Sequence, residues 1–390
     1  MPGTSQAEAA RLSWAQACSG RQERHALTTP LATGTPDQIA ALMCGAHAQI
    51  LTAAEWSIGL RLEGSTRDDI RSALWNERSL VKTYGPRGTV HLLPAADLAL
   101  WIGALTALLR RPASPAATLL TPDQGEAVIA AIGAALQSAE LTIDELNEAV
   151  VAGCGSWAGD LVLPAFDGMW PRWRQALSLA AARGMLCFGP DRGRKVTYTS
   201  PRTWLPDFEP AAASDALGWL VTQYLTSYGP ATSRQFAQWL GAPRHWAAEL
   251  FSSLAPSLRK VELDEATAWL PAGAPVPSLR SGGVRLLPYF DPYVVGCHPR
   301  RSLFAGPAAE RALNRTGQAG TKPVLLIDGM VRGIWHQRRN GRTAAVTVEP
   351  FGDLTAGQQR ELADQAERLG EFLGCAVGLT LGPVSARSHL

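Results

Sequence analysis

The feature that most constrains this chain is a change of period that recurs three times. Helix-spaced apolar residues give way each time to two short runs around a glycine-containing turn. In the first pass, helical spacing covers residues 7–18, 35–45, 52–62 and 67–77, with Ser65 or Thr66 as cap for the last. Thr52 followed by Glu55 reads as a capping box opening the 52–62 helix. Then Leu80-Val-Lys-Thr-Tyr84 and Thr89-Val-His-Leu-Leu93 read as strands around Gly85-Pro-Arg-Gly88. The last three of these helices and the hairpin make a winged-helix pattern.

The second pass predicts helices over 121–137, 142–151 and 171–183, with Thr142 and Glu145 as a capping box, then strands at 185–188 and 195–199. The third predicts helices over 214–227, 232–240 and 243–254 and a hairpin from 258–263 and 266–270. The copies share element order and little sequence. A proline-rich joint, residues 271–277, ends this part. From Val284 the pattern turns to β: strands at 285–290, 323–328, 330–337, 343–348 and 375–381, with a charged amphipathic helix at 355–369. Asp328-Gly329 and Asn340-Gly341 are hairpin signals. The fold class is α+β, with three tandem winged helices and a C-terminal β-rich, barrel-like part. The division expected is 1–112, 113–210, 211–277 and 278–390.

Composition narrows the function classes. A chain of 390 residues, 46% hydrophobic and 18% charged, is globular and long enough for several cores. Nearly all its cations are Arg; the lysines are Lys82, Lys195, Lys260 and Lys322. Cys18, Cys44, Cys154, Cys187, Cys297 and Cys375 are scattered without C-x-x-C or Cys/His ligand spacing, so no metal is expected and the thiols are read as reduced. No signal-peptide pattern or long apolar run occurs, which predicts a cytoplasmic protein, at the nucleoid when bound to DNA, with no membrane partner. Phosphate-loop, dinucleotide and nucleophile-elbow motifs are missing, so no cofactor is expected.

Two features point to chemistry. His47 and Gln49 fall in the connection between two helices; if that linker is extended, residues two apart share a face. An imidazole and a carboxamide would then point the same way, although such a triplet also arises by chance. The hairpins are locally basic: Lys82 and Arg87 in the first (with His91 on its second strand), Arg192, Arg194 and Lys195 in the second, Arg259 and Lys260 in the third. His336, Gln337, Arg338, Arg339 and Arg342 crowd the C-terminal hairpin. Basic tips can be merely solvated turns, but four on one chain favour nucleic acid over protein partners. Trp56, Trp75, Trp101 and Trp239 read as core, and Trp170 and Trp173 flank Arg172 and Arg174 near a candidate recognition helix. Asp291 either caps backbone amides or sets a second carboxylate near a developing cation.

His47-x-Gln49 after Leu42-Met-Cys-Gly45, then Lys82-Thr-Tyr-Gly-Pro-Arg87-Gly-Thr-Val-His91, resembles the AlkZ-like winged-helix DNA glycosylases. Phe290-Asp-Pro-Tyr-Val-Val-Gly296 and Pro323-Val-Leu-Leu-Ile-Asp-Gly-Met-Val-Arg-Gly-Ile-Trp335 continue the resemblance in order. It implies a C-shaped array of winged helices with a glutamine motif at its concave centre. It also implies repair or self-resistance activity against bulky alkylated purines, including adducts of a producer's own antibiotic. The family's usual motif is Gln-x-Gln; His47 stands where the first Gln would be, and Gln49 carries over directly. The implied enzyme is a monomeric, monofunctional glycosylase acting on double-stranded DNA that contains an N7-alkylated guanine. The rival readings are a non-catalytic winged-helix DNA-binding or regulatory protein and a protein-binding scaffold.

Overall fold

The computed structural model describes residues 10–109, 119–165, 168–341 and 343–385. Arg342, the start of the expected 7–18 helix and the expected boundary at 112 lie outside the described residues. The chain divides into two compact units, one of residues 1–70 and 221–390 and one of residues 71–220. This division is coarser than the four expected modules and cuts across the first and the third.

In the first unit the expected opening helix starts later, as Trp14–Arg24, because Ser13 and Gln16 form a capping box there. Just before it, Arg11–Leu12 pairs in parallel with Leu258–Leu263, which runs antiparallel to Ala266–Pro271. Leu12, Ala17, Val261, Leu263, Ala268 and Leu270 close a small core over this sheet. The helices Ser233–Leu240 and Arg244–Leu254 match expectation, the first capped by Thr232 and Gln235. Between them and the end of helix Ala213–Tyr228 packs an aromatic cluster of Tyr224, Tyr228, Phe236 and Trp239.

The β-rich part of this unit is one five-stranded sheet. Its order is Val284–Leu287, Val324–Ile327, Met330–Asn340, Thr343–Pro350 and Ala376–Leu381. The first three pairings are antiparallel. The last is parallel, which requires a crossover, and helix Ala356–Leu373 supplies it. The first strand is shorter than expected: Pro288 has no N–H for the ladder, and the chain leaves the sheet there.

The second unit holds the hairpin Leu80–Tyr84 and Val90–Pro94, in the register Leu80↔Pro94. It also holds helices Leu98–Leu109, Pro122–Leu136 and Ile143–Cys154, the last with the expected Thr142–Glu145 capping box. Lys195–Thr199 lies between Leu141–Thr142 and Cys187–Arg192 in a second sheet. The helix expected over 171–183 is instead a strand, Met169–Pro171, a 3-10 turn, Arg172–Ala176, and a short helix, Leu177–Ala182. The strand pairs with Leu161–Pro164, and Trp173 is buried with its indole N–H donated to Asn147 at 2.8 Å. Both ties hold the start of the segment, and the α-helix is confined to Leu177–Ala182. Among the described residues no helix is long and apolar enough to cross a membrane.

Candidate active site

The His47 segment leaves helix Pro36–Leu42 through Cys44 and Gly45, both at positive φ, and enters the two-residue strand Ala46–His47. Helix Leu51–Gly59 follows. The expected capping box on Thr52 is corrected: the helix begins one residue earlier, with Ile50 as N-cap, so Thr52 lies inside the first turn. Glu55 turns instead to Arg67, with an Arg67 Nε–Glu55 Oε2 distance of 2.6 Å. A carboxylate this deeply buried gains more from a guanidinium than from a backbone amide.

His47 and Gln49 are presented unequally. His47 is buried, with its ring stacked on Phe290 at a centroid distance of 4.8 Å and 27° between planes. Gln49 is exposed. The imidazole is thus held, while the carboxamide faces solvent at the mouth of the segment.

What holds Phe290 is a turn of unusual backbone. Phe290 has φ +55°, donates its N–H to Gly320 at 2.9 Å, and is approached by that glycine so closely that a Cβ there would sit 3.1 Å from the Phe290 Cα. Gly320 itself has φ +93°, so only glycine suits the position. The next residue, Asp291, caps helix Pro292–Gly296 through the Tyr293 N–H. Its side chain is completely buried and forms a bidentate pair with Arg61, both N–O distances being 2.8 Å. Ser57 donates to Asp291 Oδ2 at 2.9 Å, and Arg61 also donates to the carbonyls of Ser57 and His25. Of the two roles open to Asp291 in the sequence, the geometry is that of a cap and a buried ion-pair partner.

A second tie joins the two segments. The Tyr228 hydroxyl bridges the Met43 and Pro292 carbonyls at 3.1 and 3.2 Å, linking the chain before His47 to the chain after Asp291. Tyr228, Arg61 and Ser57 are the residues that sequence reasoning missed. Ser57 and Arg61 carried a readable signal, being polar residues four apart in the apolar run Trp56–Leu62. Tyr228 carried none.

The residues expected to meet DNA are placed in three ways. Lys82 and His91 are both buried, Lys82 with its ammonium 4.6 Å from the Phe188 ring centroid and His91 with Nδ1 2.8 Å from the Thr89 carbonyl. Lys82 pairs with Leu92 and His91 with Thr83, so the two lie on opposite faces of the hairpin, and both faces are buried. Arg192 and Lys195 are exposed but paired, with Glu145 and Asp144, each at 2.7 Å. Arg87, Arg194, Arg338 and Arg339 are exposed, Arg87 at the hairpin tip with φ +60°. Among the tryptophans, Trp173 belongs to the core, whereas Trp170 is partly exposed and lies against the Arg174 guanidinium at 4.2 Å. Among the described residues no cluster of His, Cys, Asp and Glu is arranged to hold a metal ion.

A mixed α+β chain with an imidazole on one short strand, a carboxamide just after it, and basic hairpin tips has the makings of a nucleic-acid enzyme. Residues 40–372 match the family described as DNA glycosylase AlkZ-like, and the chain belongs to that family; it is a DNA glycosylase. Of individual proteins, it is similar to an interstrand DNA cross-link repair glycosylase from Streptomyces sahachiroi, 28% identical over 347 residues, 83% of this chain and 88% of the relative. Its fold is similar to the solved structure of Streptomyces sahachiroi DNA glycosylase AlkZ, with a TM-score of 0.79 and 25% identity, covering 95% of this chain and 100% of the other.

Proposed function

We propose that this protein is a monofunctional, monomeric DNA repair glycosylase that hydrolyses the N-glycosidic bond of bulky N7-alkylated guanine in double-stranded DNA. His47 and Gln49 are its catalytic residues and three tandem winged helices its binding frame. The observation that carries the reading is the held imidazole of His47 beside the exposed Gln49, within the span matched by the glycosylase family. The cross-link repair activity in the relative's name supports a substrate larger than a methylated base.

The chemistry asks little of the protein beyond placement. A purine alkylated at N7 is cationic, so its glycosidic bond is already weakened and the base departs without prior protonation. What remains is to hold a water against C1′ while the sugar takes on oxocarbenium character. The Gln49 amide is neutral and orients that water through its oxygen. His47 accepts the water's proton as the C1′–O bond forms. Positioning of this kind contributes as much as about 7–11 kcal/mol. The exposed arginines Arg87, Arg194, Arg338 and Arg339 neutralise phosphates around the lesion.

The test is incubation with a duplex carrying one defined N7-guanine adduct. Heat-labile strand breaks at the adduct, together with release of the free alkylated base, are the expected result. Full adduct-DNA binding with no base release would overturn the reading in favour of a non-catalytic DNA-binding protein.

A further inference from the structure

A cleft of about 680 Å³ opens within the first unit, in the size range of small-molecule sites, and neither His47 nor Gln49 lines it. It lies where the end of helix Trp14–Arg24 meets the proline-rich joint that follows strand Ala266–Pro271. The joint is a fixed wall. Arg259 Nη1 donates to the Ala274 carbonyl at 2.8 Å, and the Arg280 N–H donates to the Ser19 hydroxyl at 2.9 Å. Between these ties Pro277 packs on Gly20 so closely that a Cβ there would sit 2.7 Å from the Pro277 Cβ. The cleft is therefore formed before anything enters it.

Its lining is mostly aliphatic. Leu31, Leu42, Leu225, Leu270 and Val276 supply branched hydrocarbon, and among the described residues no aromatic ring takes part. Three charged residues also line it, Glu23, Arg24 and Arg280. Glu23 and Arg280 are exposed and 3.3 Å apart, so each answers the other. Arg24 differs from both. Its Nη2 donates to the Gly229 carbonyl, while its Nε is buried without a hydrogen-bond partner among the described residues. Burial first, then the neighbouring Arg21 charge, push the Arg24 pKa down to about 10, against the pull of Glu23. A guanidinium withdrawn from water, with a neutral carbonyl and a second cation for company, lacks a counter-charge.

We propose that this cleft is a binding site for an aliphatic monocarboxylate, whose carboxylate pairs with the Arg24 guanidinium and whose hydrocarbon body lies along the leucines. A planar carboxylate matches the guanidinium fork and supplies the missing charge. A dianion would need a second cation, and Arg280 is committed to Glu23. The lining offers burial of hydrocarbon without ring stacking, which favours an aliphatic body over an aromatic one.

The test is isothermal titration calorimetry of the full chain with octanoate and with octan-1-ol, which has the same hydrocarbon chain and no charge. Octanoate should bind the wild type about tenfold more tightly than the alcohol, or better. Arg24→Gln should bring octanoate to within about twofold of the alcohol and leave the alcohol's own affinity unchanged. Val276 is exposed on the joint, so Val276→Trp narrows the cleft without entering the core, and it should weaken both ligands by about tenfold. The proposal is overturned if octanoate does not bind, if the alcohol binds as tightly, or if either variant binds octanoate as the wild type does. Should Arg24→Gln fail to fold, the wild-type comparison and Val276→Trp decide. Every readout is binding, so the result stands apart from the glycosylase reading.

Discussion

His47 and Phe290 lie nearly face to face, with ring centroids 4.8 Å apart, although they are 243 positions apart in the chain. The stack fixes the plane of the imidazole. An aromatic pair of this kind contributes ~0.5–1.5 kcal/mol beyond simple burial, so Phe290→Leu should slow single-turnover base release by roughly two- to tenfold. The dissociation constant for adduct DNA should stay near wild type, and Phe290→Tyr should restore the rate. A wild-type rate in Phe290→Leu would show that the stack does not orient the catalytic ring.

Asp291 allows a sharp contrast between structural and catalytic roles. Its pair with Arg61 is fully buried on both sides. Removing one partner of such a pair strands the other charge and costs about 3–5 kcal/mol. Asp291→Ala should therefore unfold at a clearly lower temperature in a thermal melt. The fraction still folded at low temperature should release base at a rate within an order of magnitude of wild type. A variant with an unchanged melting temperature and no base release would make Asp291 a reacting carboxylate instead.

Much of this arrangement was legible in the sequence, and the gaps have physical causes. Helix starts at Pro36, Ile143, Ser233 and Ala356 fell within a residue of expectation, and at Ile143 the Thr142–Glu145 capping box marked the start, since a cap is a local hydrogen bond. The sheet strands from Val324 to Leu381 followed from alternation and from the two Xaa-Gly turns. The stretch 171–183 was misread as one helix because its start is tied elsewhere, Pro171 by pairing with Leu161–Pro164 and Trp173 by Asn147, 26 positions away, so that only Leu177–Ala182 is α-helical. His47 and Gln49 were visible as a motif, but their unequal burial was not, because Phe290 covers one and not the other. Lys82 and His91 read as surface groups because nothing local in the sequence shows that both faces of their hairpin are covered.

The second hairpin separates a paired cation from an unpaired-looking neighbour. Lys195 is 2.7 Å from Asp144, whereas Arg194 beside it is exposed at the tip. A phosphate must compete with Asp144 for Lys195, so Arg194→Ala should lower the slope of log K against log salt by about 0.9, and Lys195→Ala by less. Filter binding or anisotropy between low and moderate salt measures both. An unchanged slope for Arg194→Ala would remove this hairpin from the DNA interface.

His25 should make the protein acid-sensitive. It is completely buried, and desolvation first, then the nearby Arg61, Arg24 and Arg21 charges, hold its pKa well below the ordinary histidine value of 6.5. The folded state keeps the ring neutral while the unfolded chain binds a proton below that value. Stability is therefore intact above about pH 6.5 and falls as the pH drops from there towards the folded-state pKa, by at most ~1.4 kcal/mol per pH unit for one group. His25→Leu should flatten the melting temperature between neutral and mildly acid pH relative to wild type. Parallel wild-type and His25→Leu curves would assign the acid sensitivity to other groups.

The last prediction concerns the motif itself. If His47 and Gln49 act on one water, Gln49→Ala leaves a base whose water is free to wander, and His47→Ala leaves an oriented water without a base. A general base contributes about 10²–10⁴-fold in ordinary reactions. With a cationic leaving group, proton removal comes late, so His47→Ala should lose a factor near the lower end of that range. His47→Gln recreates the Gln-x-Gln pattern of the family and should retain substantial release of small N7-alkylpurines. Any limb of the pH–rate profile that His47 carries in wild type should be missing from His47→Gln. The double variant His47→Ala, Gln49→Ala should bind adduct DNA and be nearly inactive, with a combined loss smaller than the product of the single losses, because both side chains serve one water. Single-turnover base release against pH, on one adduct, measures all four variants. A wild-type rate in the double variant would place the chemistry on other residues.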